Sequence, residues 1–425
     1  MLSTLVTCAA VPLLLIAWHS SGALRRSPWP AVAVLLWHGG GLARIALGNI
    51  RAPHEWDFAC FWLYGHIAAA HLNVYDPGVY ARFASPFPPD SAFRDAVLNV
   101  GFPYPPPSIA LFWPLGFLAS VRLGLTLWYG VAVGALIAAA WFLARSFMPA
   151  DGWRGALLIL GLICALPAAQ NTVGDAQTNF LLLLLVALAL LKRNTPAGAV
   201  WTALAVWVKP YAAVLLVTDL IGRHWRRLAV AGLTLALTLA AGVLLVGPLA
   251  FAAYLQANPS AREPPSAFVE VVNQSLLSAV LRLHHTLPPR VSASHEPLYV
   301  GLALLFTLVT VAACLRRTST QAAFAVTLLL GLIVYPGTLT SYGVMLILPL
   351  LVLWQQRNQF PGRTPAVALI SAAAVLLQSG WLQCGFAADV LLWAACCWVA
   401  VRTPAGPSTE QPLPGLARTT VGAAS

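Results

Sequence analysis

The chain has 425 residues, of which 59% are hydrophobic and only 9% are charged, and its formal net charge is +11. Ordinary soluble domains are about one quarter charged, so a chain this poor in charge cannot cover a water-facing surface. The composition therefore excludes a soluble globular domain and predicts a polytopic integral membrane protein.

The sequence pattern restricts both the fold and the partners. Backbone polar groups in lipid must be bonded within the protein, and the run from Phe180 to Leu191 lacks the apolar–polar alternation of a membrane barrel. The predicted fold class is therefore all-α, with about 11 to 13 transmembrane helices. The basic residues lie in short groups between apolar runs rather than in one stripe, which argues against a nucleic-acid partner.

The basic groups mark cytoplasmic loops, because membrane proteins concentrate Lys and Arg on that side. Residues 2–19 are then an uncleaved first span with its N-terminus outside, and residues 31–48 lead outward again. Further spans are predicted near residues 123–144, 156–168, 180–191, 228–246, 298–315, 322–335, 343–354, 366–379 and 388–401, whereas residues 199–220 have basic groups at both ends. Residues 108–120 are too few to cross alone and are predicted to be re-entrant or paired with another short element. Residues 1–402 form one domain, and residues 403–425 a disordered cytoplasmic tail.

Two long loops, residues 49–107 and 247–296, are predicted on the outer side and hold most of the acidic residues. Long loops in a compact chain are usually functional or disordered, and the aromatic residues of the first loop argue against disorder. Residues 58–72 are predicted to form an amphipathic helix, with Phe58 and Phe61 resting on the membrane surface. Both loops are therefore expected to carry interfacial helices.

Glu55, Trp56 and Asp57 lie just beyond the end of the outward span, where a lipid headgroup would arrive. A carboxylate at this position can act as a general base on a hydroxyl. The alternative is that Asp57 caps the following helix by accepting hydrogen bonds from its free backbone N–H groups. The two roles are compatible.

Lys209 is the one cation in an apolar segment that has long uncharged runs on both sides. A charge inside a membrane is costly and indicates a functional site. Pro210 breaks the helix beside it, so residues 199–220 are predicted to be a helical hairpin or a pair of short broken helices. Lys209 is expected to contact a phosphate from the inner end of a cavity. The alternative is a lysine that extends to the cytoplasmic interface.

Two further motifs place polar side chains in the outer loops. Residues 273–275 (Asn-Gln-Ser) precede Arg282 by about two helical turns, so one helix could present an amide, a hydroxyl and a guanidinium to a phosphate. The alternative is a solvated interfacial helix. The proline-rich run 101–107 forms either a turn at the membrane surface or a rigid rim with Tyr104 aimed inward.

The sequence indicates no cofactor and no metal site. The seven cysteines form no Cys-x-x-Cys pair, and the pairs His66/His71 and His284/His285 lack the i, i+4 spacing of a helical zinc site. The chain has no glycine-rich phosphate-binding motif. An ATP-driven pump and a cytosolic nucleotide-sugar site are therefore unsupported.

Several short motifs follow one another along the chain. In order, they are Asp57-Phe58, Tyr75-Asp76-Pro77, Phe102-Pro103-Tyr104-Pro105-Pro106, Pro114-Leu115, Gly174-Asp175-Ala176-Gln177-Thr178-Asn179, Lys209-Pro210, and Asn273-Gln274-Ser275-Leu276 with Arg282. In order and spacing the chain resembles glycosyltransferase family 87, whose members are polyprenol-phosphate-sugar-dependent enzymes of the GT-C fold. The resemblance runs from about Trp56 to Tyr342.

The resemblance implies a GT-C-like enzyme that transfers a sugar, such as mannose, from a polyprenyl-phosphate donor to a lipid or glycan acceptor. Transfer would invert the anomeric carbon, on the outer face of the cytoplasmic membrane, with Asp57 as catalytic base. The residues implied for the donor phosphate are Lys209, Arg282 and Arg82. Those implied for substrate binding are Glu55, Tyr104, Gln177, Asn273, Gln274 and Tyr342. Glu55 and Asp57 also form a Glu-x-Asp pattern seen in GT-C enzymes, some of which use a divalent metal; two carboxylates alone do not indicate one.

The chain departs from the family pattern in a late outer loop. Family members often have a Ser-Pro…Trp…His motif there, whereas residues 335–342 contain neither Trp nor His. Two other functions therefore stay open: a transporter or flippase of lipid-linked glycans, and a catalytically silent membrane scaffold. Transporters often consist of two corresponding halves, and no second Lys-Pro break follows Lys209, which favours the enzyme.

Overall fold

The computed structural model describes residues 10–18, 27–53, 56–84, 104–257, 265–284, 291–316, 319–360, 362–379, 382 and 384–402. Within these ranges the regular structure is helical, apart from one isolated antiparallel bridge between Asn273 and Leu339. The all-α prediction is confirmed. The predictions for Glu55, for much of the first outer loop and for the tail 403–425 fall outside the described residues.

The helices follow one another closely along the chain. The α-helices are 10–18, Trp29–Arg51, Trp56–Ala69, Pro77–Ala84, Ile109–Phe112, Val121–Phe147, Gly152–Ala165, Pro167–Gly174, Asn179–Leu191, Pro196–Val208, Leu216–Ile221, Trp225–Val246, Pro248–Ala257, Pro265–Val269, Leu276–Leu281, Pro297–Leu315, Thr320–Val334, Ile347–Gln355, Arg363–Gln378 and Gly385–Arg402. The 3₁₀-helices are Pro106–Ser108, Trp113–Phe117, Pro210–Leu215, Ala293–His295, Thr340–Leu346 and Arg357–Gln359.

Five helices in the described part of the chain are long and apolar enough to cross a membrane. They are Trp29–Arg51, Val121–Phe147, Trp225–Val246, Pro297–Leu315 and Gly385–Arg402. The pair Gly152–Ala165 and Pro167–Gly174, which bends by 73°, makes a sixth if it counts as one span. The predicted total of about 11 to 13 crossings also needs the shorter apolar helices, which have fewer than the roughly 20 residues of a straight span.

The short segment 106–117 is paired with another short element. Its 3₁₀ turn Trp113–Phe117 packs on the helix Trp56–Ala69, and the two backbones approach closely at Gly65 and Gly116. A Cβ atom on Gly116 would lie 2.6 Å from the Gly65 carbonyl carbon and 2.7 Å from the Ala69 Cβ. Of the two predictions for residues 108–120, a re-entrant segment or a pair with another short element, the packing agrees with the pair.

The prediction that Phe58 and Phe61 rest on the membrane surface is wrong. Both side chains are buried in the protein core. Phe61 stacks on Phe112 with ring centroids 4.2 Å apart, and its centroid lies 5.7 Å from that of Trp128. The helix Trp56–Ala69 also buries Leu63, Tyr64 and Ile67, so it is apolar around most of its circumference and lies between other elements rather than at an interface.

The predicted helix break beside Pro210 is confirmed. The helix Pro196–Val208 ends at Lys209, whose backbone is extended (φ −148°, ψ 118°), and the 3₁₀-helix Pro210–Leu215 follows. A proline has no N–H and its ring collides with the preceding helical turn, so the helix cannot continue through this position. The break places the Lys209 side chain between two short helices.

Replacing Gly116 with alanine is expected to lower the free energy of unfolding by about 1–3 kcal/mol, because the added methyl group overpacks the contact with Gly65. Thermal unfolding in detergent measures the change. Gly130→Ala is the matched control, since Gly130 lies in the helix Val121–Phe147 with no heavy atom within 4 Å of the added Cβ. Equal stability of the two variants would contradict the close approach.

Candidate active site

Lys209 lies at the centre of a buried polar cluster. Its side chain is only 4% exposed. The Nζ atom donates to the Tyr342 hydroxyl at 2.8 Å, the Tyr104 hydroxyl at 3.1 Å and the Gln177 Oε1 atom at 3.3 Å. These three acceptors match the three N–H donors of an ammonium group. Lys209 is therefore held within the protein and does not extend to an interface.

Gln177 joins Lys209 to Asp57. Its Oε1 atom accepts from Lys209, and its Nε2 atom donates to the Asp57 carboxylate. Gln177 is 3% exposed, whereas Asp57 is partly exposed. The result is a chain of hydrogen bonds from the buried Lys209 cation to the carboxylate of the partly exposed residue Asp57.

The surroundings of the Asp57 carboxylate determine its pKa and its hydrogen bonds. Burial raises the pKa of Asp57, while the charge of Lys209 and the hydrogen bond from Gln177 act in the opposite direction. Among the described residues, the carboxylate accepts from Gln177 and from no backbone N–H of its own helix. The capping alternative thus has no hydrogen bond to support it in this part of the chain.

The turn that carries Gln177 is fixed by residues that the sequence reasoning missed. Ala176 has a positive φ of 48°, and its carbonyl accepts from the Trp128 indole at 2.7 Å. Asn49, at the end of the helix Trp29–Arg51, donates from its Nδ2 atom to the Gly174 carbonyl at 2.9 Å. A polar side chain near the end of an apolar span was the available signal for Asn49.

Tyr104 is oriented inward, as one of the two interpretations of the proline-rich run predicts. Its backbone carbonyl accepts from the Tyr75 hydroxyl at 2.9 Å. Its ring makes edge contacts with Phe61, at a centroid distance of 5.7 Å, and with Phe112, at 5.9 Å. These contacts direct the Tyr104 hydroxyl toward Lys209.

Tyr342 reaches Lys209 from the 3₁₀-helix Thr340–Leu346. Its ring stacks on Tyr211, with centroids 5.5 Å apart and planes inclined by 28°. The Lys209 Nζ atom lies 4.4 Å from the Tyr342 ring centroid, within reach of a cation–π interaction. Thr172 anchors the same segment by donating to the Ser341 carbonyl at 3.0 Å. Tyr342 therefore contacts Lys209 through both its hydroxyl and its ring.

The Arg282 side chain stabilises the second loop by donating hydrogen bonds to carbonyl groups of the loop backbone. Its Nη2 atom donates to the carbonyls of Glu270 at 2.7 Å and Asn273 at 2.8 Å, and the side chain is exposed. The prediction that one helix presents residues 273–275 and Arg282 together is wrong. The helix spans only Leu276–Leu281, so Asn273 precedes it and Arg282 follows it. Phosphate binding by Arg282 stays a prediction.

Asn273 and Gln274 connect the second loop to other elements. The Asn273 Nδ2 atom donates to the Pro336 carbonyl at 3.1 Å. The Gln274 Oε1 atom accepts from the backbone N–H of Phe386 at 3.1 Å. Both side chains are buried. Their observed role is structural, and substrate binding by either stays a prediction.

Arg82 and Glu55 complete the set of predicted site residues. Arg82 is exposed in the last turn of the helix Pro77–Ala84. Glu55 lies outside the described residues, so the Glu-x-Asp pattern has no described geometry. The structure therefore brings together Asp57, Gln177 and Lys209 with two tyrosines, and leaves Arg82 and Glu55 as predictions.

One comparison with known proteins gives a match. The family model of glycosyltransferase family 87 matches residues 102–349, more than half of the chain. The match includes Gln177, Lys209 and Tyr342. Neither a curated protein nor a solved structure matches.

Proposed function

Since the chain belongs to glycosyltransferase family 87, we propose that it transfers a sugar, such as mannose, from a polyprenyl-phosphate donor to a lipid or glycan acceptor. We place this reaction at the outer face of the cytoplasmic membrane. The observation that supports the proposal most directly is the hydrogen-bonded chain Asp57–Gln177–Lys209, which joins the carboxylate of a partly exposed residue to a buried cation. It offers a base and a cation at one site.

The proposed reaction is a single inverting displacement. Asp57 takes the proton of an acceptor hydroxyl, and that oxygen forms a bond to the anomeric carbon of the donor sugar. The bond from this carbon to the phosphate oxygen breaks, and polyprenyl phosphate leaves with the electron pair. The proton stays on Asp57 until it passes to water, which the partial exposure of this side chain allows.

The proposed task of Lys209 is to bind the donor phosphate and to stabilise its charge as it departs. All three of its donors are engaged, two of them by the hydroxyls of Tyr104 and Tyr342. A hydroxyl can rotate, so a phosphate oxygen can replace one tyrosine as acceptor while that tyrosine donates to the phosphate. Arg282 and Arg82 remain the further candidates for the phosphate.

The proposal is tested with purified protein in vesicles that contain radiolabelled polyprenyl-phosphate sugars and a total lipid extract. A new labelled glycolipid or glycan supports the transferase. Label that crosses the bilayer without product formation supports a lipid-linked-glycan transporter instead. A protein that does neither, with every donor tested, supports the silent scaffold.

The pH dependence of transfer is expected to follow Asp57. Burial raises the pKa of its carboxyl above that of an ordinary aspartate. The base acts only when ionised, so activity should fall as the pH drops through this raised pKa, at a higher pH than the roughly 4 of an exposed aspartate. A profile of kcat/KM against pH measures the acid limb. Full activity down to the range of an exposed carboxyl would contradict the assignment.

A further inference from the structure

A second polar cavity lies beside the segment that carries Tyr342. Thr340 and Gly343 line one wall, and Gln274, Gln378 and Asp389 contribute polar side chains to the others. The space open to the centre of a water molecule is about 10 Å³. This volume corresponds to roughly one water-sized group, so the cavity accepts one oxygen atom and excludes a sugar ring.

Asp389 is a buried carboxyl group without a hydrogen-bond partner in the described part of the chain. It is 4% exposed and lies in the apolar helix Gly385–Arg402. Among the described residues, no hydrogen bond or ion pair satisfies it. A carboxyl group at such a position is costly unless a ligand or a proton compensates for the lost water. Asp389 therefore points to a missing partner.

Gln378 supplies a second unsatisfied group in the same cavity. Its Oε1 atom is buried and has no hydrogen-bond partner in the described part of the chain. Gly343 makes room for this side chain, because a Cβ at that position would lie 2.9 Å from the Gln378 Cδ atom. The Gln378 Oε1 atom needs a hydrogen-bond donor, and a carboxyl group that carries a proton can itself donate. A hydroxyl group fits both, because it donates to the Oε1 atom and accepts from the protonated Asp389 carboxyl.

The cavity adjoins the segment that carries Tyr342, a member of the candidate active site. Thr340 and Gly343, which line the cavity, belong to the same 3₁₀-helix as Tyr342. Tyr211 stacks on Tyr342, and Tyr342 accepts the hydrogen bond from Lys209. A sugar held near Lys209 and Asp57 thus lies close to the cavity, and one of its hydroxyls is of the right size to enter.

We propose that Asp389 and Gln378 bind one hydroxyl group of a carbohydrate, either on the donor sugar or on the acceptor. This subsite rests on the proposed transferase function and determines which sugar the site accepts. The substrate hydroxyl donates to the Gln378 Oε1 atom and accepts from the Asp389 carboxyl group, which carries a proton. It takes the place of a water molecule in the free protein.

The test compares complete and monodeoxy substrates in two separate series. The first uses polyprenyl-phosphate mannose and each monodeoxy form of its sugar as donor. The second uses octyl mannoside and each of its monodeoxy forms as acceptor. For the wild type, loss of the hydroxyl that enters the cavity should lower kcat/KM by about 100-fold or more, because the two buried side chains then lack a partner. The series that shows the loss identifies the source of the hydroxyl.

Two variants assign that loss to the cavity. In Asp389→Leu and Gln378→Met, the penalty for the same deoxy substrate should shrink by about tenfold or more, since the new side chains have no N–H or O–H donor and no oxygen acceptor for the substrate hydroxyl. Trp393→Phe is the control. Trp393 lies on the same helix as Asp389 but outside the cavity, and its indole donates to the Thr310 hydroxyl at 2.9 Å. The variant loses this hydrogen bond and should keep the wild-type penalty.

An unchanged penalty at every position in both cavity variants would overturn the subsite and leave only a water site. Absence of product from the wild type with every donor would instead contradict the transferase function. Binding is then read from the rise in unfolding temperature with the same compounds. A rise that depends on one hydroxyl, and on Asp389, supports the subsite, and a rise that depends on neither overturns it.

Discussion

Replacing Asp57 with asparagine is expected to lower kcat by about 100- to 10,000-fold, the usual contribution of a general base. Asparagine has nearly the same shape and can still accept the hydrogen bond that Gln177 donates. It cannot take a proton from an acceptor hydroxyl. The loss should therefore appear in kcat, with the unfolding temperature close to that of the wild type. Single-turnover transfer from a labelled donor measures it.

Asp76→Asn is the matched control for Asp57→Asn. The Asp76 carboxylate is exposed and accepts from the Gly78 N–H at 2.8 Å, so it has a structural role at the start of a neighbouring helix. Its replacement should leave kcat unchanged. Equal activity of the Asp57 variant and the wild type would remove the base assignment, and equal losses in both variants would indicate a general effect on the first loop.

Replacing Lys209 with methionine is expected to raise KM for the donor by about 10- to 150-fold, the value of a hydrogen bond to a charged group. Methionine keeps the length of the side chain but offers no charge and no donor to the phosphate. Loss of the cation also removes an interaction that lowers the pKa of Asp57, so the acid limb of the pH profile should move to higher pH. Donor titrations at several pH values measure both effects.

Lys192→Met is the control for Lys209→Met. Lys192 is exposed next to the end of the helix Asn179–Leu191, and its loss removes the same charge far from the polar cluster. An unchanged donor KM together with an unmoved acid limb in the Lys209 variant would show that Lys209 neither binds the phosphate nor acts on Asp57.

The sequence identifies the members of the candidate site better than their contacts. The cost of an intramembrane charge singled out Lys209, and the position of a carboxylate just beyond an outward span singled out Asp57. The resemblance to the family added Gln177 and Tyr342. Two of the three hydrogen bonds among these four residues join positions more than one hundred apart, namely Asp57 with Gln177 and Lys209 with Tyr342. The local sequence pattern contains no information about such distant pairs. The structure was therefore needed to show that hydrogen bonds join Asp57 to Gln177 and Gln177 to Lys209.

The errors of the sequence reasoning have a physical origin. An apolar run near the membrane surface fits either a lipid interface or a protein interior. The packing of the helix Trp56–Ala69 on the segment 106–117 shows that Phe58 and Phe61 lie in the protein interior. The heptad-like spacing between Ser275 and Arg282 suggested one helix, but Ser275 instead caps a short helix by accepting from the Ser278 N–H at 3.1 Å. Asp389 was overlooked because no motif surrounds it.

The second outer loop and the end of the chain are built as one unit. Gln274 accepts from the Phe386 N–H, and Gly385 leaves room for it, since a Cβ there would lie 3.2 Å from the Gln274 Cγ atom. Gly385 and Phe386 lie beyond the region that the family model matches. A chimera that imports this loop from another family member therefore has to import the matching final helix as well. The two segments form one packing unit, although more than one hundred positions separate them.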